Sequence, residues 1–203
     1  MNANLGLVEY LKKIEALRTP EIIEAFEKVD RVDFVLPQDK KHAYANVPLR
    51  IGYGQTISQP LTVAFMLERL QPQKGDKVLD IGSGSGWTTA LLAQIVSSEG
   101  QVVGLEVIPE LVEFGQVNLA KYNFENAQIQ KVEEGILGIP GEKFDRILIS
   151  AAATKLPDKL LSQLKNNGSM IIPIRSSLYE IYKDKEGNID KKEIPGFVFV
   201  PLV

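Results

Sequence analysis

The apolar positions of this chain follow two alternating rhythms. Lys77 to Ile81, Gln101 to Glu106, Ala127 to Val132 and Arg146 to Ser150 are short, largely apolar runs, as expected of strands inside a sheet. Residues 86–97 and 109–122 carry apolar side chains every three or four positions and read as the helices between the first three runs. Strands alternating with helices of this length predict a parallel sheet with right-handed crossovers. Ahead of them, residues 3–18 and 20–29 read as two amphipathic helices, with Thr19 and Pro20 as break and helix start, and 61–70 as a short third. Behind them, Leu156 to Leu164 reads as a helix. Ser169 to Ile174, Leu178 to Lys183 and Phe197 to Leu202 read as closing strands. The predicted fold is α/β: a mostly parallel, seven-stranded sheet with helices on both faces and an N-terminal helical and loop extension. One domain is expected over 1–203, with 1–60 as the extension and 61–203 as the core. Val32 to Pro60 is rich in turn signals. It also carries Phe34, Val35, Leu36, Leu49, Ile51 and Ile57, so an ordered irregular stretch is expected rather than a linker.

The most informative segment is Val78-Leu79-Asp80-Ile81-Gly82-Ser83-Gly84-Ser85-Gly86. An apolar strand runs into three glycines spaced by two and then into a helix. Such a loop lets backbone approach a ligand, and the helix start presents free N–H groups. A dinucleotide fingerprint needs its third glycine one place later, where this chain has Trp87. The spacing matches instead the first motif of Rossmann-like methyltransferases, which makes residues 61–203 a cofactor-binding core. Glu106 ends the next strand, and a carboxylate there can accept both hydroxyls of a ribose; Val107 follows it. Glu134, followed by Gly135, ends the third strand and is a candidate for the adenine end of the site. No lysine or arginine lies among the glycines. Asp80, Glu106 and Glu134 together would repel a diphosphate and attract a sulfonium that also bears an ammonium group. S-adenosylmethionine is therefore the expected cofactor.

Composition narrows the chemistry further. Cysteine is absent from the 203 residues, which removes disulfides, thiolate zinc sites and cysteine nucleophiles. The single histidine, His42, follows Lys40 and Lys41 and reads as a surface residue, so neither a histidine metal site nor a Ser-His-Asp arrangement is expected. The net charge of −3 argues against a nucleic-acid partner. The start lacks the apolar core of a signal peptide, and no run reaches the roughly 18 apolar residues of a membrane span. A cytoplasmic monomer without metal or membrane attachment is expected.

Beyond the glycine loop, the chain resembles the protein-L-isoaspartate O-methyltransferase family along nearly its whole length. The most specific element is Ile51-Gly52-Tyr53-Gly54-Gln55-Thr56-Ile57-Ser58-Gln59-Pro60. Val29 to Val35, Ala43-Tyr44, Ala151-Ala152-Ala153, Pro157, Gln163-Leu164 and Phe199-Val200-Pro201-Leu202 are also similar to it. The resemblance implies methyl transfer from S-adenosylmethionine to the free carboxylate of isoaspartyl residues in damaged proteins and peptides, leaving S-adenosylhomocysteine. It implies that Thr56, Ile57 and Ser58 lie at the transferred methyl, and that Asn46, Gln55, Thr56 and Ser58 hold the substrate. The chain departs from the family at several places. It has Asn46 for an aspartate and Glu133-Glu134-Gly135 for a Gly-Asp-Gly turn. Thr154 stands for a proline, Asn167-Gly168 for a double glycine, and Arg175 for a glycine. Two rival readings stand beside this one: a methyltransferase of the same fold with another acceptor, and a non-catalytic S-adenosylmethionine-binding protein. A nicotinamide dehydrogenase is disfavoured by Trp87.

Overall fold

The computed structural model describes residues 3–202. The chain begins with helix α1, Ala3–Lys13, and helix α2, Pro20–Lys28. Helix α1 stops short of the expected residue 18. Glu15 turns left-handed (φ 59°), and the N–H groups of Ala16 and Leu17 return to the Leu11 carbonyl at 2.9 and 3.3 Å. That closure satisfies the helix end and buries Leu17. Two 3₁₀ turns follow, Arg31–Phe34 and Pro37–His42, then a two-stranded antiparallel hairpin of β1, Leu49–Gly52, and β2, Gln55–Ile57. Helix α3, Pro60–Leu70, leads into the sheet.

The sheet elements are β3 Lys77–Ile81, α4 Trp87–Val96, β4 Gln101–Glu106, α5 Pro109–Ala120, β5 Ala127–Lys131, β6 Phe144–Ile149, α6 Asp158–Gln163, β7 Leu164–Ile174, β8 Ser177–Lys183 and β9 Ile189–Pro195. Their order is β5-β4-β3-β6-β7-β8-β9. The first five strands in that order run parallel, while β8 and β9 are antiparallel additions. The expected seven-stranded, mostly parallel sheet is present, with β3 and β4 at their predicted bounds.

The seventh strand is not the predicted one. Phe197 to Leu202 forms no ladder, and the sheet ends on β9, whose sequence IDKKEIP is exposed along nearly its whole length. An edge strand with solvent on both faces shows no apolar alternation, and its lysines discourage further pairing. Phe197 to Leu202 instead forms a strap across the carboxyl end of the sheet. Ala152 N–H donates to Val200 O at 2.7 Å, and Leu202 N–H donates to Ala152 O at 2.9 Å. Strand β7 also starts five residues earlier than expected, directly after the six-residue α6. The ladder between β6 and β7 is irregular between Leu164 and Ser169, and there Gly168 sits where a Cβ would come within 2.9 Å of the Asp145 carbonyl.

Two apolar clusters cover the sheet. One face packs Val78, Val102, Ile129, Leu148 and Ile171 against the first five helices, with Phe26 and Trp87 at its centre. The other packs Leu79, Val103, Ile147 and Met170 under α6 and the loops around Leu137 and Ile139. Helix α2 starts without help from the Thr19 side chain. The half-missing cap comes from α3: the buried Glu68 carboxylate accepts from the N–H groups of Arg18 and Thr19 at 2.7 and 2.8 Å and from the Thr19 hydroxyl at 2.8 Å. Charge-assisted bonds of this kind are worth about 1.5–3 kcal/mol together when one partner is removed. Glu68→Ala is expected to lower the unfolding free energy by about 2 kcal/mol in urea titration. A loss below about 0.5 kcal/mol would mean that water serves the α2 terminus equally well.

Candidate active site

One pocket opens at the carboxyl ends of β3 and β4, where ligands of open α/β sheets bind. Its floor is the glycine turn. Gly82, Gly84 and Gly86 all have positive φ (76°, 50° and 87°), a conformation that other residues resist. The Gly82 and Ser83 N–H groups both donate to Leu105 O, at 2.9 and 3.1 Å, which ties the turn to β4. Helix α5 passes against the turn at Gly115, where a Cβ would come within 2.9 Å of Gly84 O. Asn118, buried one turn further along, donates to Ser85 O at 3.0 Å.

Glu106 lines the pocket and is held by backbone alone. Its Oε1 accepts from the N–H groups of Val107 and Ile108 at 2.9 and 3.1 Å, and Oε2 from Gly84 N–H at 2.9 Å. Three donors orient the carboxylate and leave lone pairs for a ligand. It is the one charged residue among the lining residues. Ile81, Leu105, Val107, Val132, Ile136 and Leu137 supply apolar walls. Ser83 lines the pocket with its buried Oγ unpaired.

The expected cofactor residues separate into two groups. Gly82, Ser83, Gly84, Ser85, Glu106 and Val107 line the pocket. Asp80, Gly86, Glu134 and Gly135 do not. Asp80 is wholly buried under the turn, where its Oδ2 accepts from the hydroxyls of Thr88 and Thr89, each at 2.7 Å, while Oδ1 has no partner. Gly86 is a packing position: a Cβ there would meet Gly115 O and Ile129 Cδ1 at 3.0 Å. Glu134 and Gly135 are exposed on the turn after β5, beside the lining residues Val132, Ile136 and Leu137.

The expected substrate residues Gln55, Thr56, Ile57 and Ser58 line the same pocket, facing the glycine turn across it. Asn46 does not line it. Its Oδ1 accepts from Leu61 N–H at 3.0 Å, so it serves as a cap for α3. His42 is exposed and also lies outside the lining.

Several site residues had no legible role in the sequence. Arg31 is fully buried and binds four carbonyl groups around the acceptor segment, including Ser58 O at 3.0 Å. Its guanidinium lies 5.3 Å from the centroid of Trp87, which lines the pocket and packs edge-on against Phe26. Gln163 accepts from Ile139 N–H at 2.8 Å and donates to Leu137 O at 3.2 Å, and so fixes the pocket wall from α6. Gly138 has no room for a Cβ because of the Gln163 amide. The strap contributes Val200, Pro201 and Leu202 to the lining.

These residues fit a nucleoside with a small cationic tail. A buried carboxylate and an unpaired serine hydroxyl line a pocket with apolar walls, and no lysine or arginine among the lining residues offers a phosphate contact. No cluster of three metal-ligating side chains occurs among the described residues.

Comparison with known proteins gives the following similarities. A family model described as Protein-L-isoaspartate(D-aspartate) O-methyltransferase matches residues 2–203. A protein-L-isoaspartate O-methyltransferase of Thermococcus onnurineus is 44% identical over 97% of this chain and 91% of its own. One from Methanopyrus kandleri is 41% identical over 97% and 89%. A Plasmodium falciparum structure described as a protein-L-isoaspartate O-methyltransferase in complex with S-adenosyl-L-homocysteine matches with TM-score 0.88 and 30% identity, over 100% of this chain and 99% of that one.

Asp80 makes the pocket floor sensitive to pH. Burial pushes its carboxyl up to about 6, against the pull of the Thr89 and Thr88 hydroxyls and with a smaller push from Glu106. A group held above its unfolded value of 3.8 stabilises the fold fully below that value, and the contribution is lost as pH rises through about 6. Asp80→Asn, which cannot ionise, is expected to gain about 2 kcal/mol relative to the parent chain between pH 4 and pH 7. Urea titrations at both pH values measure the difference, and a difference independent of pH would show that Asp80 does not titrate on folding.

Proposed function

The chain belongs to the protein-L-isoaspartate(D-aspartate) O-methyltransferase family, and on that premise we propose how its own residues perform the reaction. The activity is transfer of a methyl group from S-adenosylmethionine to the free carboxylate of L-isoaspartyl residues in damaged proteins and peptides. One observation carries the assignment of residues. The segment Gln55 to Ser58 and the glycine turn Gly82 to Ser85 are far apart in sequence, yet both line one pocket around Glu106.

Glu106 is the ribose ligand in this reading, presented by the three backbone donors that orient it. Ser83 and the N–H groups of the turn hold the amino-acid tail, and Val107 and the apolar walls enclose the base. Glu134 and Gly135 stand exposed on the turn that follows β5, beside the lining residues Val132 and Ile136, and would border the adenine end of the site. Asp80 and Gly86 support the turn from below. The bound cofactor supplies an electrophilic methyl group on a sulfonium.

Thr56, Ile57 and Ser58 place the acceptor at that methyl, with the Ser58 hydroxyl donating to the acceptor carboxylate. Gln55 borders the peptide, and Asn46 acts through the start of α3 rather than by contact. An α-carboxyl has a pKa of about 3.5, so the acceptor is already ionised at pH 7 and needs no base. This agrees with a pocket lined by no histidine and no second carboxylate. The oxygen forms its bond to carbon as the carbon–sulfur bond breaks, the electron pair stays on sulfur, and no proton moves. Opposite charges disappear in that step, so the residues contribute mainly alignment and exclusion of water.

In this reading residues 1–60 and 61–203 are parts of one domain, because α1 and α2 share an apolar cluster with α3, α4 and the sheet. Residues 1, 2 and 203 lie outside the described structure. A cytoplasmic monomer that takes proteins rather than nucleic acid is the proposed setting, supported by the absence of cysteine and the net charge of −3. No helix among the described residues is long and apolar enough to cross a membrane.

Calorimetry with S-adenosylhomocysteine tests the ribose assignment. Glu106→Ala is expected to weaken binding about ten- to a hundredfold, and unchanged affinity would remove Glu106 from the site. Ser58→Ala is expected to slow methylation by about ten- to a hundredfold with S-adenosylhomocysteine affinity nearly intact. The assay is labelled methyl transfer to an isoaspartyl peptide beside its aspartyl twin. Transfer to neither peptide, by protein that binds the cofactor product, would leave the fold serving another acceptor.

A further inference from the structure

Arg31 is a fully buried cation, with no exposed surface. Its Nη1 donates to the carbonyls of Ala43 and Ala45 at 2.5 and 3.4 Å, and its Nη2 to those of Val47 and Ser58 at 3.1 and 3.0 Å. Nε has no partner. Among the described residues no carboxylate lies within 4.0 Å of it, and Asp30, its neighbour in the chain, is engaged by Val32 N–H and the Tyr44 hydroxyl. Burial alone acts on its guanidinium and draws it down to about 10, still fully charged at neutral pH.

A buried charge without a counter-ion is costly, and burial of this kind is normally paired. The carbonyl dipoles around Arg31 offset part of that cost. The remaining charge sits one residue's width from the pocket, since both Ser58 and Trp87 line it and both touch the guanidinium. The pocket itself holds no other cation, and its only charge is the Glu106 carboxylate. An anion entering beside Ser58 therefore meets the field of Arg31 through a low-dielectric wall, where such fields act over longer range than in water.

We propose that Arg31 is the positioning residue for the acceptor: it frames residues 43–58 so that Ser58 faces the cofactor, and its unpaired charge is the counter-ion that favours a carboxylate over a neutral group at that place. The proposal rests on the isoaspartyl reading above. It deepens that reading by naming what selects an anionic acceptor in a pocket that otherwise offers only neutral donors. The two roles separate on substitution, since Arg31→Lys keeps the charge but loses the fork that binds two pairs of carbonyls. Arg31→Met loses both.

The test measures binding of two peptides to the protein saturated with S-adenosylhomocysteine, so that no turnover occurs. One peptide carries isoaspartate and the other isoasparagine, its neutral amide. The parent protein is expected to prefer the carboxylate by about tenfold or more. Arg31→Lys is expected to keep most of that preference while kcat for the isoaspartyl peptide falls about tenfold, because the frame loosens. Arg31→Met, with S-adenosylhomocysteine affinity within about threefold of the parent, is expected to bind both peptides alike. A folded Arg31→Met that retains the carboxylate preference overturns the charge role, and Arg31→Lys with parental kcat overturns the framing role. Should Arg31→Met fail to fold, a parent protein that binds both peptides equally overturns the charge role by itself. The parent's methylation of the isoaspartyl peptide is measured alongside; its absence would instead sink the functional reading.

Discussion

The irregular stretch between α2 and α3 depends on one interaction, the buried Arg31 guanidinium bound to the carbonyls of Ala43, Ala45, Val47 and Ser58. Backbone that leaves helices and sheets must still find partners for its polar groups. A long loop that also lines a pocket cannot give all of them to water. Arg31 solves this from the inside, with a rigid fork of donors that a lysine does not have. Trp87 covers its face and carries the same contact to the start of α4, directly after the glycine turn. The acceptor segment and the cofactor turn therefore rest on one buried support.

A second set of bonds joins them through α5. Asn118 holds Ser85 O, and Lys121 reaches the Asn118 amide oxygen at 2.9 Å and Asp33 O at 2.6 Å. Tyr122 donates to the Asp33 carboxylate at 2.8 Å and accepts from Asp30 N–H at 2.8 Å. Burial and Asp33 hold its hydroxyl well above the usual tyrosine range, so it stays a donor at any physiological pH. Its ring stacks between Phe34 and Phe124. The turn that carries Arg31 is thus fixed from the same helix that buttresses the glycine turn, and displacement of one loop must disturb the other.

The pocket is economical in charge. Methyl transfer from a sulfonium to a carboxylate abolishes two charges, so a site rich in fixed ions would favour the separated reactants. The lining offers one carboxylate, held by backbone donors, and a cation kept behind a wall. The far wall is built with similar restraint. Gln163 fixes the loop at Leu137 and Ile139 through its amide, and the strap of Val200 to Leu202 closes the rim by pairing with Ala152.

The sequence by itself determined the alternating core, the glycine turn and the carboxylate at the end of β4. These features are set by neighbours a few residues away: apolar period, positive-φ glycines, and a strand end fixed by its own ladder. The acceptor segment was legible through its likeness to a known family, although nothing in its own pattern of turns and hydroxyls placed it opposite the glycines. Tertiary structure alone decided the rest. Edge strand β9 carries no apolar alternation because neither of its faces is buried, and Phe197 to Leu202 looks like a strand because it is a run of apolar residues, although it only rests half-buried on the end of the sheet. Asp80 read as a ligand residue by its charge and Asn46 by likeness to the family, yet the fold engages them in a bond to two threonines and a helix cap. Arg31 stood only within a stretch similar to the family, and its role was not legible because the partners that keep its charge inside are carbonyl groups, which every residue carries and no sequence pattern marks.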